Sequence, residues 1–368
     1  MMDISTAAPT RITARISRMR TMPIELKPPC RTTIADSPRL MAKTAAKAVR
    51  RMSATRLAPS RTRDGAPRRA PVSRRTAGPS DPIGAGGMDR LPVVRVAAAI
   101  RPATDLEIPT VVEVLRRAGF GTQVARLLDY PRLSPHGAIL VAAGPEGIGG
   151  VVCTAAFATT GWIGALGVLP EARRRGLGAA LTEAAVAWLQ ARDARTVLLY
   201  ATEAGRPVYE RLGFVAEERA IAWRGVAGAA PEADLHPVRS EDRAHLRALD
   251  AAVTGERRDA VLDVIEAPAG VAVRDAGGRM AGWAIASPWG AGTAIGALDP
   301  DVGVALMAAA TAGPAAGTLI VPDGNAAATE ALRTWRFVRL NDALRMRLGP
   351  AVAWRPDRQF GLFNLYWG

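Results

Sequence analysis

The sequence predicts an α/β protein, a mixed sheet flanked by helices and built twice in tandem, behind a disordered basic tail. Three observations carry that reading. From Val93 onward, short apolar strand-like runs alternate with stretches of helical periodicity. The tetrapeptide Ile163-Gly164-Ala165-Leu166 recurs as Ile295-Gly296-Ala297-Leu298, and a glycine stands sixteen residues before each leucine, at Gly150 and Gly282. Composition changes abruptly beside Met88.

Residues 1–87 hold 18 of the 48 Lys+Arg, only five acids and none of the 18 aromatic residues, for a net charge of +13. Such a segment buries too little apolar surface to offset its ordering entropy, so disorder is expected. Its arginine pairs could serve as a nucleic-acid arm or an organelle transit peptide. We expect instead that the natural protein begins at Met88, because all three lysines (Lys27, Lys43, Lys47) lie in the tail and none in the body. Residues 88–368 carry a net charge of only +1, so no nucleic-acid role is expected for the body.

In the first half, Val93–Ile100 reads as a strand. Asp105 can cap a helix through Val112, Leu115 and Ala118, with Gly119 as its stop. Ala138–Ala142 and Gly150–Thr159 read as strands joined by the turn Gly144-Pro145-Glu146-Gly147, and Trp162–Val168 follows as another. Leu177, Leu181, Ala184, Trp188 and Leu189 share one helical face. Thr196–Tyr200 is a short strand, and a helix is expected over about Gly205–Leu212. Gly, Ala and Pro interrupt the pattern near residues 226–234, dividing the body into 88–228 and 235–368.

Two cysteines exclude a disulfide framework, and three scattered histidines argue against a histidine metal centre. No apolar run approaches the ~20 residues that span a bilayer, and no secretory h-region opens the chain. A cytoplasmic protein with no membrane partner is expected.

Chemistry concentrates in Leu166-Gly167-Val168-Leu169-Pro170-Glu171-Ala172-Arg173-Arg174-Arg175-Gly176-Leu177-Gly178-Ala179. A strand ends, a proline turns the chain, and an Arg/Gly loop opens into a helix. The helix start leaves backbone N–H groups unpaired and partly positive, and glycines let them approach an oxyanion closely. Arginines add mobile cations. This is not a P-loop, because no Gly-Lys-Ser/Thr follows. Thirty-one residues after Gly178 comes Tyr209-Glu210-Arg211-Leu212-Gly213-Phe214.

Together the two motifs resemble the GCN5-related N-acetyltransferase (GNAT) superfamily over about residues 93–225. Its members share an Arg/Gln-x-x-Gly-x-Gly/Ala pyrophosphate loop and a Tyr-x-x-x-Gly-Phe ending. The resemblance implies two GNAT-like domains, acetyl-CoA as co-substrate, no metal, and a small-molecule amine or peptide as acceptor. It further implies that the backbone of Leu166, Gly167 and Val168 hydrogen-bonds the pantetheine arm. The amides of Arg173, Arg174, Arg175, Gly176, Leu177, Gly178 and Ala179 would cradle the pyrophosphate, and Tyr209 would protonate the leaving thiolate. Thr202 stands where many relatives carry a cofactor-contacting Asn. Strand 162–168 contains no Glu or Asp where many relatives place a base, and strand 196–200 has none either; Glu203 is the nearest carboxylate after it. The amine would then lose its proton to solvent or to a base from the other half.

The second half reads as a worn copy. Leu166 to Leu181 spans fifteen residues and Leu298 to Leu306 only eight, so the Arg/Gly loop shrinks to Asp299-Pro300-Asp301-Val302-Gly303, whose acids repel a pyrophosphate. Counted back from Phe337, Tyr209 becomes Leu332 and Gly213 becomes Arg336. This half resembles the divergent C-terminal GNAT domain of some bacterial acetyltransferases, through Asp250, Gly255 and Arg258. The same stretch also reads as a helix with solvated Glu256 and Arg257. Phe360–Trp367 is too apolar for a loose tail and is expected to pack as a last strand covering an edge. Mycothiol-synthase-like enzymes also have two GNAT halves, and a non-catalytic CoA-binding regulator would fit the missing strand base. Mass spectrometry of the native protein should return no peptide from residues 1–87; their recovery would show that the tail belongs to it.

Overall fold

The computed structural model describes residues 98–266, 270–290 and 292–368; the tail and the expected strand start at Val93 lie outside the described residues. The first half runs β1 (Ala99–Pro102), α1 (Ile108–Ala118), β2 (Gly137–Gly144), β3 (Gly147–Phe157), β4 (Thr160–Val168), α2 (Leu177–Gln190), β5 (Thr196–Ala201), α3 (Arg206–Arg211) and β6 (Val215–Gly225). The second runs β7 (Leu235–Pro237), α4 (Arg243–Thr254), β8 (Val271–Arg274), β9 (Met280–Ala286), β10 (Thr293–Ala297), α5 (Pro300–Thr311), β11 (Gly317–Pro322), α6 (Ala326–Thr334), β12 (Val338–Leu348) and β13 (Gln359–Gly361). Among the described residues, no helix is long and apolar enough to cross a membrane.

Local signals set most boundaries. The N-terminal cap of the first helical segment is Thr104 rather than Asp105. Glu107, three residues on, accepts from Thr104 N and Oγ1 at 2.8 and 3.0 Å, and its own N donates to Thr104 O at 3.0 Å, which fixes the start of the segment at Thr104. Gly119 ends α1 with φ +113°. Helix α1 buries Val111, Val114 and Leu115 on one face of the sheet, against Ile139, Val141 and Val151. Helix α2 covers the other face with Leu181, Ala185 and Leu189. The duplicated glycines do the same work in both halves: a Cβ at Gly150 would lie 2.8 Å from Leu181 Cδ1, and one at Gly282 would lie 2.8 Å from Leu306 Cδ1. Each lets a helix sit down on its strand.

The linker near 226–234 divides the chain, but the sheet does not divide there. The large sheet has the order β1-β2-β3-β4-β5-β12-β6-β11, so the halves exchange strands. Strand β12 of the second half pairs antiparallel with β5 of the first, and β6 of the first pairs with β11 of the second. The two exchanged strands meet in the middle. Val338 faces Arg224, Val215 faces Arg347, and Ala220 faces its counterpart Ala343, so an approximate two-fold passes between those two alanines. Duplication explains the symmetry: each half offers its strand after the Phe214 or Phe337 position to the other.

The smaller sheet, β13-β10-β9-β8-β7, belongs to the second half alone. Its last strand is shorter than the apolar run predicts. Residues 359–361 pair with β10 and Leu362 N donates to Ile320 O of β11 at 3.0 Å. Asn364 Oδ1 then accepts from Tyr366 N and Trp367 N, a local turn that diverts the remaining residues from the ladder. Phe363 and Trp367 enter a core shared by both halves, with Tyr130, Phe157 and Trp162 from the first and Trp283 and Trp289 from the second.

A shared sheet should unfold as one unit. Met346 of β12 is fully buried among first-half side chains, so Met346→Ala should cost ~2–5 kcal/mol and lower a single thermal transition. Two separable transitions in calorimetry would contradict this architecture.

Candidate functional site

The site begins where β4 and β5 stop pairing. Their parallel ladder runs from Thr160↔Thr196 to Ile163↔Leu199 and ends there. Beyond it β4 bulges: Cys153 faces Gly164 and Val151 faces Gly167, so two residues of β4 oppose the single Val152. Ala165, inside the bulge, takes φ +46°, a left-handed conformation that costs a non-glycine residue ~1–2 kcal/mol. The bulge turns β4 away from β5 and leaves a fork, with Leu166, Gly167 and Val168 on one prong. The edge of those residues facing β5 has no strand partner. Cys153, behind the bulge, is buried and its thiol pKa is raised by desolvation.

At the mouth of the fork, Arg174 (φ +60°) and Gly176 (φ +82°) are left-handed and flank Arg175, an alternation that curls successive amides into a concave nest. Gly176 then N-caps α2 with no side-chain cap. The first amides of α2, at Leu177, Gly178 and Ala179, are therefore free of capping side chains, as an anion site requires. Arg174 and Arg175 are exposed. Arg173 is not a mobile cation: its Nε and Nη2 donate to Val168 O and Ala118 O, both at 3.1 Å, so it ties the loop to β4 and α1.

Tyr209 sits in α3, 7% exposed, with its ring edge-on to Phe214 at 5.9 Å. Burial pushes its phenol up to about 12, so it is protonated and can donate throughout the neutral range. Thr202 is exposed and its Oγ1 accepts from Gly205 N at 3.2 Å, which occupies the hydroxyl as a turn cap and leaves its proton to donate. Glu203 pairs with Arg219.

The second half keeps the frame and loses the site. Phe337 N donates to Leu332 O as Phe214 N does to Tyr209 O, at 2.9 and 3.0 Å, and Arg336 takes φ +59° where Gly213 takes +88°. At the Tyr209 position, however, Leu332 is fully buried. Asp299 Oδ1 accepts from Asp301 N and Val302 N at 2.9 and 3.3 Å, closing the N-terminus of α5 from within. Strand β13 lies against β10 and reaches β11 through Leu362, filling the gap that the first half leaves open.

Sequence reasoning missed a polar cluster where the halves meet. Glu256 is not solvated: α4 ends at Thr254, and the carboxylate is 4% exposed. It accepts from Thr160 Oγ1 at 2.7 Å and Trp162 Nε1 at 2.9 Å, both on β4. Arg258 makes a bidentate pair with Asp250 at 2.6 and 3.0 Å and donates to Gly368 O at 3.0 Å. Arg345 of β12 is buried, pairs with Glu217 and lies 4.1 Å over the Trp354 ring. Tyr200 stacks on Trp162 at 5.3 Å. The resemblance to a divergent C-terminal GNAT domain singled out Asp250, Gly255 and Arg258, but nothing local in the sequence marked Glu256 as buried. Among the described residues, no group of three or more His, Cys, Asp or Glu is placed to hold a metal ion.

Residues 110–214 match the family model described as Acetyltransferase (GNAT) family, and residues 246–361 match that of an Acetyltransferase (GNAT) domain, together more than half of the chain. The chain belongs to the GNAT acetyltransferase family and carries two GNAT domains in tandem. A candidate acetyltransferase from Pyrococcus horikoshii shares the fold at TM-score 0.59 and 19% identity, over 74% of this chain and 96% of that one. A GCN5-related N-acetyltransferase from Sphaerobacter thermophilus does so at TM-score 0.50 and 14% identity, over 70% and 98%. A search of the curated proteins returns no match.

Removing the internal cap of the second half is a direct test of its closure. Asp299→Ala should destabilise the protein by ~0.5–2 kcal/mol in denaturant unfolding; an unchanged midpoint would show that the cap contributes nothing.

Proposed function

We propose that the first half transfers an acetyl group from acetyl-CoA to a primary amine, with a second half that binds no coenzyme A. The observation that supports this reading most is the contrast between two homologous helix starts. One is uncapped at the mouth of an open fork, and the other is capped by Asp299 behind a filled one. The residues fit coenzyme A. A Cβ at Gly176 would meet nothing within 4 Å and one at Gly178 only Leu166 Cδ2 at 3.9 Å, so the nest opens outward.

In this reading the amides of Arg174–Ala179 bind the pyrophosphate, with Arg174 and Arg175 as screening cations. The free edge of Leu166–Val168 aligns the pantetheine and polarises the thioester carbonyl, as oxyanion-stabilising donors do. The amine attacks directly. Tyr209, kept protonated by burial, donates to the departing sulfur.

Calorimetry should find one acetyl-CoA per chain. Arg174→Ala with Arg175→Ala should weaken binding, whereas Tyr209→Phe should bind normally and lower turnover by ~10²–10⁴-fold, read as thiol release across an amine panel. Two binding sites per chain, or full turnover in the Phe variant, would refute the assignment.

A further inference from the structure

We infer that Phe120 of the first half and Tyr366 of the second form an aromatic wall on the acceptor side of the fork, fitted to a primary amine that carries a planar or branched apolar group. That acceptor class rests on the transferase reading, while the wall rests on packing and exposure.

The two faces of the β4 prong are unlike. Leu166 and Val168 pack on the α2 face, in the cluster that holds Leu177, Leu181 and Tyr209. In the transferase reading the coenzyme's anionic end and the donor of the final proton both lie on that side, which leaves the α1 face to the acceptor. There β4 offers Gly164 and Gly167, and residues from elsewhere cover them. Phe120 covers Gly167 together with Leu115 and Ala118 of α1: a Cβ at Gly167 would lie 3.3 Å from Phe120 Cε2. Tyr366 covers Gly164, where a Cβ would lie 2.7 Å from Tyr366 Cβ and 2.8 Å from its Cα. The repeat counterpart Gly296 is covered instead by Trp283 of its own half, at 2.9 Å to Nε1. The first half's fork thus takes part of its cover from the other half.

Both rings are held in place, and both keep exposed surface. Gly119 (φ +113°) stops α1 and Phe120 N donates to Leu115 O at 3.0 Å, which turns Phe120 back over the strand. Tyr366 N donates to Asn364 Oδ1 at 2.8 Å, between the buried anchors Phe363 and Trp367. The ring centroids are 6.0 Å apart, with their planes tilted by 32°. Of residues 359–368, Leu365 and Tyr366 alone are not buried, and Phe120 is likewise half-buried. Cβ atoms at Gly119 and Gly121 would meet nothing within 4 Å, so open space flanks Phe120 on both sides along the chain.

The chemistry of the wall selects its guest. Gly119–Gln123 and Leu365–Gly368 contain no ionisable side chain other than the Tyr366 phenol. Burial pushes that phenol up to about 12, so it is uncharged throughout the neutral range. Apolar and π contacts are therefore what the wall offers. A planar ring can stack on the pair, a branched chain can pack against it, and an ammonium is drawn to aromatic faces before it gives up its proton. A strongly hydrated polar stem would lose water there and gain little in return. The second half thereby takes part in choosing the acceptor although it holds no coenzyme.

Calorimetry on the full chain, with and without coenzyme A, tests the wall with 2-phenylethylamine, 3-methylbutylamine and the polar ethanolamine. At least one of the two apolar amines should bind saturably, and roughly tenfold or more tightly than ethanolamine. Phe120→Ala and Tyr366→Ala should each reduce that preference by roughly fivefold or more with acetyl-CoA affinity unchanged. Tyr366→Phe, which keeps the ring, should preserve it. No saturable binding of either apolar amine, equal affinity for ethanolamine, an unchanged preference in either alanine variant, or an equal loss in Tyr366→Phe would overturn the wall. If Tyr366→Ala does not fold, Phe120→Ala and the comparison of amines in the unaltered protein decide the matter. Apolar-amine binding that needs both rings, in a chain that neither binds acetyl-CoA nor releases thiol, would instead refute the transferase reading and leave the wall standing.

Discussion

The fork between β4 and β5 is the constraint on which the rest of the molecule depends. A parallel ladder that ran the full length of β4 would satisfy its backbone and leave no edge for a ligand. The bulge at Ala165 ends that ladder after Ile163↔Leu199, at the cost of one left-handed alanine. Packing holds this strain in place: Ala165 is buried beneath α1, and Arg173 ties the outgoing loop to carbonyls of β4 and α1. The uncapped start of α2 then lies at the open end, and the Trp162–Tyr200 stack lies at the closed end.

The second half shows what happens when the same frame is released from that constraint. Its β10 pairs regularly with β9 from Thr293↔Ala286 to Ala297↔Gly282, without a bulge. Its helix start is shortened and capped by its own aspartate. Its gap is filled by β13, the strand that the chain supplies after β12. Each change replaces a ligand-facing backbone group with an internal partner, which suits a domain retained for its surfaces. Those surfaces matter to the first half. Strand β12 completes the sheet beside β5, and residues around Glu256 and Phe363–Trp367 wall the face of β4 that α2 does not cover.

Strand exchange also explains why the halves stay together. Each half's strand after the Phe214 or Phe337 position is central in the common sheet, bonded on both sides. Removing either half would expose a long unpaired edge on the other. The duplicated ancestry is thus preserved in the fold as a two-fold axis even where the site has been lost from one copy.

Much of this was legible in the sequence because it is local. The Arg/Gly loop opening a helix, the Tyr209–Phe214 motif, the Gly150 and Gly282 repeat, and the two acids closing the second loop are short patterns whose physics acts over a few residues. The strand spans followed from apolar periodicity for the same reason. Tertiary structure alone decided the rest. No periodicity distinguishes a strand that pairs within its own half from one that crosses to the other, so the boundary at 226–234 marked the chain and not the sheet. Nor could composition bury Glu256 beside the exposed Arg257, since the same dipeptide is equally at home in water; its environment is made by Thr160 and Trp162, some 95 residues away. The sequence by itself determined the Arg/Gly loop that opens α2 and its loss in the copy. Only the packing of one half on the other decided which carboxylate is buried against β4, because that placement depends on contacts between segments distant along the chain.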